Sequence, residues 1–502
     1  MGGMDYGFLS LMPAAITIVV ALITHRVALA LFAGVLGGVF VLAGYQLTGF
    51  LEESFEYLML AFTDWERVKI VLFVMLIGGM LEIIAGGGAY TRFAERLGKR
   101  LNTPRRSRVS TWGLSMCLFF DDYANVLISG ASMRKINMRN GVTPAMLAYI
   151  VDVVAIMASI MIVSTWASFE GSVMAQAGNS VGLDKSVTTF FLESLPYHFY
   201  TFLAIVLAFV VAYTGRWFGY RADDAVYPLQ EKSDVQNPAS KTYHLLVPII
   251  TLVGFAITAL FASGIYLLQQ QQRPITLINI LGVAPSVNIL ILSTLLALAV
   301  TFILLRKDRV VSSLQIGKGF VKGIREMVGV SLVILLAGGL SAVSMDLGTG
   351  KYITHSVSSF LQPGVIPLLI FVVSMLITVA TGFSWSSMAI VMPIAFQMVV
   401  ADNMPEMIPV VSAAVISGAV SGEHIIPFSE KAVMSAAACK ITPVYHIKTQ
   451  ILQTLSVFTA ACIGYIIIGL FHSLVLAFAI PLALLLIIHF AFARENKKAV
   501  IQ

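Results

Sequence analysis

Two short polar clusters interrupt otherwise apolar sequence: Phe120-Asp121-Asp122-Tyr123-Ala124-Asn125 and Thr381-Gly382-Phe383-Ser384-Trp385-Ser386-Ser387. Adjacent carboxylates raise each other's proton affinity, so one of Asp121 and Asp122 can titrate near neutral pH while the other stays ionised. Such a carboxylate holds a proton or a metal cation, but not both together. Asn125, about one turn on, is a neutral oxygen ligand or an amide that stabilises the local turn. A purely structural alternative makes Asp121 or Asp122 the cap of a short helix. Asp152 adds a lone acid inside another apolar run, and Glu423-His424 sits in Gly418-Ala-Val-Ser-Gly422-Glu423-His424-Ile-Ile-Pro427-Phe-Ser429-Glu430-Lys431, where glycines and a proline permit unwinding. Freed backbone carbonyls at such breaks can ligate a cation. Asp121, Asp122, Asn125, Asp152, Ser384, Ser386, Glu423 and His424 are the candidate ion or substrate ligands. Asp122, Asp152 and Glu423 are the proton-coupling candidates, and Asp121, Asp122 and Asp152 the candidate metal-cation ligands. His424 reads equally as a proton carrier or as a neutral, hydrogen-bonded histidine.

These groups lie at membrane depth. Hydrophobic residues make up 58% of the 502, charged residues 12%, and mean hydropathy is +0.89, too little polar surface to coat a water-facing globule. The fold class is an all-α polytopic membrane protein. At about 20 apolar residues per span, clean runs occur near 8–25, 27–45, 67–89, 144–165, 191–213, 244–265, 278–305, 326–347, 446–470 and 473–492. Regions 109–130, 364–400 and 407–440 are interrupted. No positively charged stretch precedes the first run, which is expected to be retained as a span. Cys117, Cys439 and Cys462 sit in apolar sequence and imply no redox or thiolate chemistry. The net charge of +6 reflects basic residues between spans and calls for no nucleic acid.

The chain also repeats itself. Val71-Leu-Phe-Val-Met-Leu-Ile-Gly78-Gly79-Met80 aligns with Ser331-Leu-Val-Ile-Leu-Leu-Ala-Gly338-Gly339-Leu340, and a slightly larger shift sets Phe120–Asn125 against Gly382–Ser387. Arg92, Arg96, Lys99, Arg100, Arg105, Arg106 and Arg108 follow the first glycine helix, whereas only Lys351 occupies the counterpart 349–363. Upstream the bias reverses: Arg306, Lys307, Arg309, Lys318, Lys322 and Arg325 face a counterpart, 46–65, with no basic residue. Lys and Arg mark the cytoplasmic side, so the repeats are inverted, an arrangement that places a site near the bilayer midplane at broken helices. Charge bookkeeping gives an outside N-terminus, an inside C-terminus and about 11 spans in a bacterial cytoplasmic (inner) membrane. It closes only if 109–130 enters from and returns to the cytoplasm, as two half-spans of about 16 Å each. Re-entrant hairpins are therefore expected at 109–130 and 364–400, together with discontinuous helices. The expected divisions are N-terminal spans 1–66, a first repeat 67–213, a linker and central spans 214–325, a second repeat 326–470, and a final span and tail 471–502.

The run Phe119-Phe-Asp-Asp-Tyr-Ala-Asn-Val-Leu-Ile-Ser-Gly130, with Leu147-Ala-Tyr-Ile-Val-Asp152 and Ser164-Thr-Trp166, resembles the NhaC-type sodium/proton antiporter family of the ion transporter superfamily. In the second repeat, Gly382-Phe-Ser-Trp385 and Gly418–His424 with Pro427-Phe-Ser429 are similar to that family's Gly-Thr-Ser-Trp and Gly-Asp-His…Pro-Ile-Ser elements. The resemblance covers roughly 70–470. It implies a scaffold with a mobile hairpin-bearing domain, cation-coupled transport, and Asp121, Asp122, Asn125, Asp152, Ser384, Glu423 and His424 as site residues. Phe383, Ile425, Ile426 and Lys431 depart from the family pattern and subtract small oxygen ligands. An ammonium at Lys431, if it reaches the site, would substitute for a bound cation and favour an organic anion or zwitterion.

The expected activity is secondary active transport, with Na⁺/H⁺ antiport as its specific form. The alternative is a Na⁺- or H⁺-coupled exchanger of a small organic solute, and from another class a channel or structural membrane subunit. No phosphate loop, dinucleotide fingerprint, HExxH or nucleophilic serine arrangement argues for an enzyme. No cofactor is expected beyond Na⁺ and H⁺ as transported ions. The expected partners are the lipid bilayer and a small cation or small organic solute, with a homodimer left open.

Overall fold

A computed structural model of the chain describes residues 6–24, 26–63, 65–89, 92–93, 96, 101–119, 122–218, 239–272, 274–276, 280, 283–349, 352, 362–381, 383–427 and 429–495. In lipid a backbone must satisfy its own hydrogen bonds, and helices answer that demand. The N-terminal elements are α1 (Met12–Thr24), α2 (Val27–Leu42), α3 (Leu47–Thr63) and α4 (Trp65–Gly86). The first repeat continues with α5 (Pro104–Cys117), α6 (Asp122–Arg139), α7 (Pro144–Ala155) and α8 (Thr165–Ser180). Then come α9 (Val187–Ser194), α10 (Phe199–Thr214), α11 (Tyr243–Gln270), α12 (Ser286–Lys307) and α13 (Ser313–Asp346). The second repeat has α14 (Ile366–Thr381), α15 (Ser384–Ala401), α16 (Ile408–Glu423) and α17 (Glu430–Cys439), followed by α18 (Pro443–Phe471) and α19 (Leu474–Phe492).

Among the described residues, six helices are long and apolar enough to cross a membrane alone: 68–86, 243–270, 287–307, 405–423, 443–471 and 474–492. Two bent pairs, Pro144–Ile160 with Thr165–Ser180 (49°) and Val187–Tyr197 with Phe199–Thr214 (57°), raise the number to eight. The six to eight candidate spans among the described residues compare with about eleven expected from charge. Helix starts follow local chemistry. Thr103, Thr143 and Thr442 each precede a proline and accept the amide of Arg106, Met146 and Tyr445, and Ser312 with Gln315 closes a capping box that starts α13.

Each polar cluster lies between two packed helices: α5 ends at Cys117 and α6 begins at Asp122, and α14 ends at Thr381 and α15 begins at Ser384. The first hairpin runs wider than expected, 104–139 against 109–130, because the capped Thr103-Pro104 extends its first arm. The second matches its expected bounds to within two residues at each end. The hairpins cross over: α6 of the first repeat packs on α17 of the second, and α15 of the second packs on α8 of the first. Between them α7 is buried along its whole length and α16 at every residue but Pro409. The polar breaks are thus enclosed by protein, while α11 and α19 present Ile250, Ile257, Val475 and Ile487 to the surroundings.

The repeat helices α4 and α13 meet at glycine. A Cβ on Gly323 would lie 2.3 Å from the carbonyl oxygen of Gly78, a close approach typical of membrane helices. Arg108 donates to Ala212 O at 2.9 Å, Lys322 pairs with Glu82, and Lys241 lies 3.3 Å from Asp308. A two-residue antiparallel ladder pairs Arg216–Trp217 with Arg494–Glu495. At the opposite ends of α4 and α13, Tyr57 donates to Asp346, and Thr349 donates to Ser10 O at 2.6 Å.

Candidate functional site

The two broken helices are built alike. Ser164 caps α8 by accepting the amide of Ala167 (2.9 Å) and reaches back to donate to Ala158 O (2.7 Å). Ser429 caps α17 by accepting the amide of Ala432 (3.2 Å) and donates to Glu423 O (2.9 Å). All three positions are offset by 265 residues, so one side chain satisfies groups on both sides of the break in each repeat.

Asp152, on α7, is wholly buried. Ser435 of α17 donates to its Oδ1 at 2.9 Å, and Gln450 of α18 donates to Oδ2 at 3.0 Å. His446 Nε2 lies 3.3 Å from the same Oδ2, and His424 Nε2 3.9 Å. Tyr200 bonds His424 Nδ1 at 2.8 Å, and Gln450 also donates to His424 O at 3.1 Å. Two elements outside α7, α17 and α18, therefore turn donors toward one carboxylate. That satisfies a buried charge without a metal.

Glu423 ends α16, where Oε1 accepts the amide of Ser384, the first residue of α15, at 2.9 Å. A carboxylate at a helix N-terminus is favoured by the exposed amides and the helix dipole. Lys431 reaches the same carboxylate, with Nζ 3.3 Å from Oε2 and both side chains almost fully buried. Trp166 lies beneath the ammonium, 5.9 Å to its ring, and packs edge-on against Trp385 at 5.5 Å.

Glu170 of α8 is wholly buried, and among the described residues neither carboxyl oxygen has a hydrogen-bond partner. Asp122, buried in the first turn of α6, is close enough to act on it electrostatically. Two residues further along α8, Ser172 begins a polar lining with Gln176, Asn179, Asp184, Lys185 and Asn288 around a cavity of about 430 Å³. Asn125 donates to Ser115 O at 2.7 Å and accepts from Ser129 at 3.2 Å, tying the two arms of the first hairpin.

The expected single acidic cluster is thus divided. Asp152 has Ser435, Gln450, His446 and His424 around it, while Asp122 is near enough to Glu170 to act on it electrostatically. Among the described residues, Asp152 Oδ1 accepts from Ser435 alone, while Oδ2 takes Gln450 and His446. Ser384 and Glu423 come together, and His424 joins Asp152. Asp121 and the side chain of Ser386 lie outside the described residues. Sequence reasoning passed over Ser435, His446, Gln450 and Tyr200 and gave Glu170 no role. Buried His446, Thr449, Gln450, Gln453 and Thr454 recur at three- and four-residue spacing along the otherwise apolar α18, a polar stripe visible in the sequence.

Residues 157–470 match the Na+/H+ antiporter family. The chain belongs to this family. It is a multi-pass membrane protein and a secondary transporter, not an enzyme. An uncharacterized protein of Haemophilus influenzae is 28% identical over 97% of this chain and 95% of its own length. The malate-2H⁺/Na⁺-lactate antiporter of Bacillus subtilis is 21% identical over 152 residues, 30% of this chain and 32% of that protein. Two solved structures share the fold at 16% identity. MtrF of Neisseria gonorrhoeae, which illuminates a class of antimetabolite efflux pumps, has a TM-score of 0.57, with 84% of each chain covered. The YdaH transporter of Alcanivorax borkumensis, of unusual topology, has a TM-score of 0.58, with 87% of this chain and 90% of that one covered.

Proposed function

We propose that this antiporter-family chain exchanges Na⁺ for H⁺ across the bacterial cytoplasmic membrane, with its N-terminus outside and its C-terminus inside. The observation that carries the reading is Glu170, a buried carboxyl with neither oxygen hydrogen-bonded among the described residues and within electrostatic reach of Asp122 in the first turn of α6. Two carboxylates in a low-dielectric interior cannot both stay ionised without a compensating charge. A proton or a Na⁺ supplies that charge, and the two compete for the same oxygens. The polar cavity beginning at Ser172 gives an aqueous approach from the end of α8. Rigid motion of the hairpins against the α4–α13 scaffold would alternate access. The bias of Lys and Arg between the spans supports the assigned orientation.

In proteoliposomes an imposed Na⁺ gradient is expected to drive proton flux, read with an internal pH dye. Glu170→Gln and Asp122→Asn are each expected to reduce it at least tenfold. Flux independent of Na⁺, or indifferent to both substitutions, would remove the reading.

A further inference from the structure

Four buried hydrogen-bond donors are gathered where the second hairpin meets the first broken helix. Trp166 Nε1, Trp385 Nε1, Ser384 Oγ and Lys431 Nζ are each buried, and none has a hydrogen-bond acceptor among the described residues. They are linked to one another. The two indoles touch at 5.5 Å between ring centroids, Lys431 lies 5.9 Å over Trp166, and Ser384 adjoins Trp385 at the start of α15. Phe169 stacks against Trp385 at 4.2 Å, so the cluster has apolar walls as well as donors.

A buried donor left unpaired costs about 1–3 kcal/mol; beside the ammonium and the two indoles, the acceptors are Glu423 Oε2, 3.3 Å from Lys431 Nζ, and the Ser384 hydroxyl, which accepts as well as donates. Lys431 is not exhausted by Glu423: at 3.3 Å the pair is an ion contact without a hydrogen bond, which leaves the ammonium's N–H groups to be directed elsewhere. The ammonium and the two indole N–H groups have no lone pair to offer a metal cation, whose ligands must be oxygen lone pairs. They suit the oxygens of an anion, and indole faces suit an apolar body next to it.

We propose that Lys431, Trp166, Trp385 and Ser384 form a binding site for a small organic carboxylate carrying an apolar or aromatic group, separate from the Glu170–Asp122 cation pair. Lys431 and the indole N–H groups would take the carboxylate oxygens, and Phe169 and the indole rings the apolar part. Glu423 holds Lys431 in place from the far side.

The probes are acetate, phenylacetate and indole-3-acetate, each paired with its neutral amide, added to the purified full-length protein in detergent. Binding is read by intrinsic tryptophan fluorescence and by thermal stabilisation, which a ligand selective for the folded state must produce. Phenylacetate or indole-3-acetate is expected to bind saturably, at least tenfold tighter than acetate and than its own amide. Lys431→Arg should retain binding within threefold, and the charge-balanced pair Glu423→Gln with Lys431→Met should lose it by at least tenfold while still unfolding cooperatively. Trp166→Phe should weaken it about fivefold. Saturation by none of the three carboxylates, equal binding of amide and acid, or undiminished binding by the double variant would each overturn the assignment, the last two showing that water rather than a carboxylate completes these donors. Na⁺-driven proton flux measured without carboxylate stands or falls separately.

Discussion

Replacing Gln450 by leucine removes one side chain that serves two acceptors, Asp152 Oδ2 at 3.0 Å and His424 O at 3.1 Å. A hydrogen bond to an ionised carboxylate contributes about 1.5–3 kcal/mol and one to a carbonyl about 0.5–1.5. Interhelical hydrogen bonds in membranes average nearer 0.6 kcal/mol, because the unfolded chain in lipid also finds partners. Asp152 departs from that average, since it is a charge with no water to replace the lost donor. Gln450→Leu is therefore expected to cost about 1.5–3 kcal/mol, a shift of roughly ten- to a hundredfold in the folding equilibrium. The assay is reversible unfolding in mixed micelles of dodecyl maltoside and dodecyl sulfate. With Asp152→Asn in the background the charge-assisted part disappears, so the two substitutions should couple by about 1 kcal/mol. A single-variant cost below about 0.5 kcal/mol, or additivity of the pair within that margin, would refute the view that Asp152 is held ionised by its donors.

Asn125→Ala breaks the tie to Ser115 O inside the first hairpin and is expected to cost about 1–3 kcal/mol in the same unfolding assay; an unchanged midpoint would show that the hairpin does not depend on it. Gly323→Val would press a side chain into the Gly78 carbonyl, and a loss of about 1–3 kcal/mol is expected, visible as reduced thermal stability of the detergent-solubilised protein. Asp308, outside the spans, is lowered to about 2 first by the Tyr243 hydroxyl and then by His244 and Lys241, against partial burial. A depressed carboxylate stabilises the fold above its unfolded value of about 4 and loses that contribution as pH falls through its folded value. The stability gap between wild type and Asp308→Asn should therefore be constant at neutral pH and shrink between about pH 4 and pH 2; a gap that widens on acidification would reverse the sign.

Much of the architecture was legible because it is written in charge and interruption. Arg92–Arg108 against Lys351, and Arg306–Arg325 against a stretch without bases, set the inversion of the repeats. Asp121-Asp122 and Ser384 located both hairpin turns. What stayed hidden was partnership. Asp122 and Asp152 look alike in sequence, each an acid in apolar surroundings, yet α6 brings one within electrostatic reach of Glu170 while α7 turns the other toward α17 and α18. Pairing across 283 and 298 residues has no local signature. Glu170 carried a signal of a different kind: it is an ionisable residue in a largely buried helix that begins at a capped break.

The offset of 265 fixed by the two capping serines shows where the repeats have parted chemically. It places Glu170 against Ser435, Trp166 against Lys431, Asp152 against Ser417 and Ala158 against Glu423. At each pair one repeat holds an ionisable group and the other a hydroxyl, a methyl or an indole. Duplicated acids would bring like charges to symmetric positions around a common axis, which the interior cannot neutralise with one proton or one cation. Dividing them leaves Glu170 and Asp122 as an acceptor pair in one repeat, and gives the other the Lys431 ammonium with its own counter-ion. A symmetric backbone thereby carries an asymmetric charge pattern, so the two halves of the inverted fold can rock as mirror images while presenting different chemistry to what they carry. Exchanging the partners tests this division: Glu170→Ser with Ser435→Glu keeps the composition but moves the acid beside Asp152. The swap is expected to abolish Na⁺-dependent proton flux and to lower stability by more than Glu170→Ser alone, and a swap variant as active and as stable as wild type would mean that only the number of buried acids matters, not their placement.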